Sequence, residues 1–229
     1  MRHKWELVFA ALLAATGAQA AAGVYPTMAP RAEYMMDRSA EIALARSAAP
    51  PSIARDASVM VLGPRGYEMA VKGTNGFLCL VERSWESPFG DPEFWNPRGR
   101  APICFNAAAA RSVVPAHLER TDWALAGQSQ AGMVARTKTS AKAHMTPEPG
   151  SMCFMLSKEG HLSDEDGHWH PHLMFFMPRL PASAWGANRK DSPIYAFAGG
   201  PEPVTVFLVP VMKWSDGTLA EAGHHDPAK

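Results

Sequence analysis

Four histidines crowd the stretch Gly160-His161-Leu162-Ser163-Asp164-Glu165-Asp166-Gly167-His168-Trp169-His170-Pro171-His172-Leu173-Met174. Side chains alternate along an extended chain, so this spacing puts His168, His170 and His172 on one face. Pro171 favours the extended backbone that His170 needs for that geometry. Imidazole ligates zinc, copper, iron and nickel, and neighbouring histidines on a strand can chelate one ion. His161, Asp164, Glu165 and Asp166 lie close enough in sequence to complete the ligand set or to orient it. In a hydrolytic version the histidines hold the ion and Asp164 or Asp166 orients or deprotonates a water. Met174 and Met177 are soft ligands that would favour copper, although in a chain with 13 methionines they read more simply as core filler. The competing interpretation is a turn and strand edge whose histidines bond backbone or carboxylates, and the stretch has no HExxH pattern.

A second candidate is Gly127-Gln128-Ser129-Gln130-Ala131, which has the small residues of a GxSxG nucleophile elbow except that Ala131 takes the place of the last glycine. The chain order Ser129, then Asp164 or Asp166, then His168 or His170 would suit a triad. Against it, the alternating strand–helix pattern that should precede such an elbow is missing. Ser129 reads more simply as the cap of a helix starting at Gln130.

The third candidate is a proline-locked segment, Ser84 to Pro102, carrying Trp85, Phe89, Phe94 and Trp95 among Pro88, Pro92, Pro97 and Pro102. Loops this long are functional or disordered more often than not, and the aromatic content argues against disorder. It is expected either to close the core as a lid or, with Trp85, Phe94, Trp95 and Trp169, to wall an apolar ligand pocket. Cys79, Cys104 and Cys153 all have apolar neighbours. They read as buried residues, with at most one disulfide whose pairing spacing leaves open.

Several elements are needed to position these groups. A helix is expected over 32–48, ended by Pro50-Pro51. Strands follow at 58–62, 67–72 and 76–83, separated by turn sequences and read as a β-meander. In the third of these Phe77, Cys79 and Val81 alternate with Leu78 and Leu80, so both faces are apolar and the strand is central. An Ala-rich block at 107–143 reads as two or three helices, and strands return at 151–156, 173–177 and 204–211. That order predicts an α+β fold, an antiparallel sheet of about five to six strands with a segregated helical block, threaded in a PAS- or profilin-like manner.

The N-terminus supplies an address. Arg2, His3 and Lys4 precede an apolar run from Leu7 to Ala18 and the small-residue segment Ala18-Gln19-Ala20. These are the three parts of a secretory signal over residues 1–20, cleaved after Ala20 or Ala22. The protein is therefore expected to be periplasmic or secreted, with no membrane anchor after cleavage. Residues 21–57 read as a lead-in and helix, 58–215 as one domain, and 216–229 as a flexible tail. Lysine and arginine total 22 against 22 aspartate and glutamate, which argues against a nucleic-acid binder.

The strings Val71-Lys72-Gly73-Thr74-Asn75-Gly76-Phe77, Phe94-Trp95-Asn96-Pro97 and Gly167-His168-Trp169-His170-Pro171-His172-Leu173-Met174-Phe175 resemble a group of exported bacterial proteins of unknown function. The resemblance spans most of the mature chain and implies export and a single domain, but no activity. The leading expectation is binding of a metal ion (zinc, copper or iron) or a small ligand where the histidine cluster meets the aromatic loop. That site would serve metal-assisted hydrolysis. A non-catalytic binding or sensor module is the alternative, and a serine hydrolase at Ser129 is third.

Overall fold

The structure is a computed structural model that describes residues 25–165, 167–198 and 200–220. The expected signal segment, Asp166 and residues 221–229 of the expected tail lie outside the described residues. Its frame is one eight-stranded sheet, more than the five to six strands expected. Eight strands, β1 (Ser58–Gly63), β2 (Gly66–Val71), β3 (Leu78–Glu82), β4 (Ala101–Phe105), β5 (Met152–Met155), β6 (His172–Pro178), β7 (Tyr195–Phe197) and β8 (Val204–Pro210), lie in the order β2-β1-β3-β4-β5-β6-β8-β7.

The two strands not expected from sequence have simple explanations. β4 begins inside the proline-rich segment, and Pro102 cannot donate to a ladder. It is tolerated because β4 pairs with β5 only at Cys104 and Phe105, leaving Pro102 opposite β3 alone. β7 has three residues, too few to show a period.

The first three strands are not a meander. β1 and β2 form an antiparallel hairpin, but β3 lies on the other side of β1 and runs parallel to it, with Ser58 opposite Leu78 and Val59 opposite Cys79. The chain crosses the start of β1 at Gly73, where a Cβ would sit 2.2 Å from the Ser58 nitrogen, so only glycine lets the two backbones approach. β3 is central, as its two apolar faces require.

Those faces carry separate cores. One packs Val59, Cys79, Val81 and Cys104 against Leu44, Ala45 and Ala48 of α1 (Arg38–Arg46) and its exit, with Ala54 of α2 (Pro51–Ala54). The other packs Leu80, Ile103, Phe105 and Cys153 against α3 (Ala107–Ser112) and α4 (Val114–Leu125) through Ala109, Val113 and Val114. The helices therefore cover both faces rather than forming one segregated block, and the helix of the lead-in is part of the sheet's packing. The expected helix over 32–48 is split: a 3-10 turn at Arg31–Tyr34 precedes Asp37, whose carboxylate accepts from Ser39 and Ala40 backbone nitrogens to start α1.

The face assignment settles the cysteines. Cys79 and Cys104 are direct partners on β3 and β4 and form the disulfide, while Cys153 is a buried free thiol on the opposite face. A third cluster joins Tyr34, Trp85, Phe94, Trp95, Leu125 and Met133 beyond the end of β3, where α5 (Gln130–Thr137) meets the aromatic loop. Of the expected tail, Leu219 bridges to Lys213 and Ala220 is buried. Among the described residues no helix is long and apolar enough to cross a membrane.

Candidate metal centre

Strand β3 ends in charge. Alternation sends Glu82 to the α4 face and Arg83 to the α1 face, where Arg83 pairs with the buried Glu41 at 2.9 Å. A 3-10 turn at Ser84–Glu86 then brings Glu86 back toward Glu82. Opposite them, His117, Arg120 and Thr121 share one side of α4 at helical spacing.

The result is a compact Glu82–Glu86–His117 group whose ligand atoms all lie within 4.8 Å of one another. His117 Nδ1 is 2.6 Å from Glu82 Oε1 and 3.3 Å from Glu86 Oε2. Side-chain exposure is 9% for Glu82, 4% for Glu86 and 21% for His117, so the group is shielded but open at the imidazole. Glu82 Oε1 and His117 Nδ1 are buried atoms held against each other as an ion pair, with no further hydrogen-bond partner.

The surroundings fix the group in place. Trp85 Nε1 donates to Thr121 Oγ1 at 3.0 Å, and Thr121 Oγ1 donates to Glu86 Oε1 at 3.2 Å. Phe105 packs edge-on against the imidazole, with ring centroids 5.4 Å apart. Arg120 lies over the Phe89 ring at 3.8 Å and donates to the Ser87 carbonyl at 2.7 Å, which leaves its charge beside the carboxylates.

Electrostatics follow from this packing. Burial pushes the Glu86 carboxyl up, against the opposing pull of His117 and Arg120. For His117 burial disfavours the charge, but the carboxylates of Glu82 and Glu86 outweigh it and raise the imidazole. A divalent cation would replace that proton, since the ion stabilises carboxylates and neutral imidazole together. Two carboxylate oxygens and one ring nitrogen are a donor set for zinc and for manganese or iron, less so for copper.

The histidine stretch is built differently from its expected strand. β6 begins only at His172, and residues 167–171 are irregular. Trp169 turns into the core, where its Nε1 donates to the Met155 carbonyl at 3.1 Å and its ring fills the space beside Gly160. His168 is exposed next to Trp214, and His172 is buried with Nδ1 2.7 Å from the His170 carbonyl. Among the described residues, Glu82, Glu86 and His117 are the only set of three such side chains that converges within 4.8 Å. His161, His168, His170 and His172 do not.

Of the expected cluster, Asp164 and His161 lie against the aromatic loop. The carboxylate of Asp164 accepts from Asn96 Nδ2 at 2.9 Å, lies 3.1 Å from His161 Nε2, and pairs with Tyr25 and Arg98. Its backbone nitrogen donates to Glu93 at 3.0 Å. These hydrogen bonds hold the Asp164 carboxyl well below the usual carboxylate range, so it remains ionised, but they also occupy it as a structural clasp.

Within the loop, Trp85, Phe94 and Trp95 are buried in one cluster and Trp169 in another, so the four do not wall a common pocket. Trp95 alone of them lines a cavity of about 780 Å³, together with Met28, Arg31, Gln128 and Ser129. Ser129 Oγ accepts from the Gly132 nitrogen at 3.1 Å as the cap of α5. No hydrogen bond joins it to a histidine among the described residues.

Sequence reasoning missed Glu82, Glu86 and His117 because they are brought together only by a strand end, a turn and a distant helix. One signal was present: Glu82 continues the inward face of β3 after Leu78 and Leu80, so a carboxylate was due to be buried there. No family model matches this chain, and neither a curated protein nor a solved structure matches it.

Proposed function

We propose that this protein is an exported metal-binding protein and that its ion sits between Glu82, Glu86 and His117. The observation that carries the proposal is the convergence of two shielded carboxylates on an imidazole, all three ligand atoms lying within 4.8 Å of one another. Three protein ligands leave a coordination position for water, as in zinc hydrolytic centres. Metal-assisted hydrolysis is therefore the chemistry we assign to the site. Export is supported by the basic, apolar and small-residue order of the N-terminus, and the Cys79–Cys104 disulfide suits an oxidising compartment.

A second reading rests on the cavity at Trp95 and Ser129, whose size suits a small molecule. It makes the protein a binding or sensor module without chemistry of its own. An active-site-directed serine probe that labelled Ser129 would instead favour a hydrolase.

Metal content of the mature protein, purified without a histidine tag and measured by plasma mass spectrometry, decides the first reading. Near-stoichiometric zinc, manganese or iron is expected, lost in His117→Ala and Glu82→Gln and retained in a His168→Ala/His170→Ala double variant. Loss in the double variant alone would return the site to the histidine stretch. No metal after reconstitution would sink both metal sites and leave the cavity.

A further inference from the structure

A second charged site lies on the other side of the sheet, where α1 turns into α2. Arg46 ends α1 and Arg55 caps α2, and the proline-bounded turn between the helices brings both to one cavity of about 300 Å³. Its remaining walls are Ala43, Ser47, Pro51 and Ala54, with no carboxylate among them. Arg38, Arg83, Arg98, Arg111 and Arg120 each face an acidic side chain. Among the described residues Arg46 and Arg55 make no ion pair, and the Nε of Arg46 is buried without a hydrogen-bond partner.

Other groups near the cavity are already satisfied. The Ala43 and Leu44 carbonyls accept from the Ser47 nitrogen, and the Ala45 carbonyl from the Ala48 nitrogen. Ser47 Oγ donates to the Leu44 carbonyl at 2.6 Å and sits 2.6 Å from Ser157 Oγ. What remains are two arginines lining an open pocket of small apolar residues, neither with a side-chain hydrogen bond or ion pair among the described residues.

We propose that this cavity binds the phosphate group of a small phosphomonoester, with Arg46 and Arg55 sharing its oxygens. Guanidinium donors match such oxygens in pairs, and two converging cations without counter-charge favour an anion. Ala43, Pro51 and Ala54 seat the carbon attached to the phosphate. A similar phosphate is presented by free inorganic phosphate and by the phosphatidic acid headgroup, and the test separates these sources.

Calorimetric titration of the full mature chain with inorganic phosphate and with glycerol 3-phosphate, at ionic strength held constant with sodium chloride, is the measurement. Saturable binding is expected in the millimolar range or tighter, weakened about tenfold in Arg55→Gln and abolished in Arg46→Gln/Arg55→Gln. Arg55 is exposed, so its variant should keep the wild-type unfolding temperature and report binding alone. Tighter glycerol 3-phosphate than phosphate upholds a soluble phosphomonoester. Stronger retention on vesicles containing phosphatidic acid, lost in the same variants, upholds the site and assigns it a headgroup. No saturable binding, or equal binding by wild type and the double variant, overturns the proposal.

Discussion

Burial on β6 pushes the His172 imidazole down to about 4, although its Nδ1 has the His170 carbonyl within 2.7 Å. In the unfolded chain the same ring keeps an ordinary value near 6.5. Between those values the unfolded state binds a proton that the folded state refuses, so stability rises with pH. The contribution is fully present above about pH 6.5 and is lost as pH falls toward 4, amounting to about 3 kcal/mol. Glu86 and His117 are both raised, and their contributions fall as pH rises, so the wild-type profile is a mixture. Comparison with His172→Asn, which retains a donor near Nδ1, isolates the ring. Between pH 5 and pH 7 the denaturant midpoint of wild type should rise relative to that of the variant, because only wild type gains the His172 contribution that offsets the fall from Glu86 and His117. Equal differences would mean that His172 is not the titrating group. This residue also shows why the histidine pattern misled: spacing predicts a shared face only where the chain is extended, and seating Trp169 in the core bends the backbone before β6 begins.

At the scale of elements, β3 determines most of what can be tested. Its alternation puts Cys79 toward α1 and directly opposite Cys104, while β5 turns Cys153 to the α4 face. A thiol reagent should therefore find no reactive cysteine in the native protein and one in denaturant, and burial raises the Cys153 thiol further out of reach. Cys79→Ala/Cys104→Ala should unfold with about 3 kcal/mol less stability, from the loop entropy restored to the unfolded chain. A native protein that reacts at Cys153, or a double variant as stable as wild type, would contradict this assignment of faces. The same strand marks how far sequence could be read. Six of the strands were visible because β-branched, aromatic and methionine runs lie between turn residues. The parallel placement of β3 beside β1 was not visible, because it depends on Gly73 crossing the β1 backbone. Helices on both faces were not visible either, because an apolar run buried on both sides does not say what covers each face. Glu82 was the missed clue, a carboxylate in register with an inward face and in need of a partner such as His117.

The whole molecule places its carboxylate–imidazole group and its two unpaired arginines on opposite sides of one sheet. Glu82, Glu86 and His117 lie on the α4 side, and Arg46 and Arg55 lie at the helices of the α1 side. Both assemble only when the sheet and its helices are folded, so an ion at the acidic group binds the native state and not the unfolded chain. Such a ligand stabilises by mass action, by about 2.7 kcal/mol at a hundred times its dissociation constant. For a domain of this size that corresponds to a rise of about 5–10 °C in unfolding temperature. Zinc added to metal-stripped wild type should give this shift, a chelator should reverse it, and His117→Ala should show neither effect. Phosphate should add its own smaller shift, and because the two sites share no side chain the shifts should sum in the presence of both. A zinc shift that survives in His117→Ala would place the stabilising ion elsewhere. A phosphate shift that disappears once zinc is bound would mean that the sites communicate through β3, whose Glu82 and Arg83 point to opposite faces from adjacent positions.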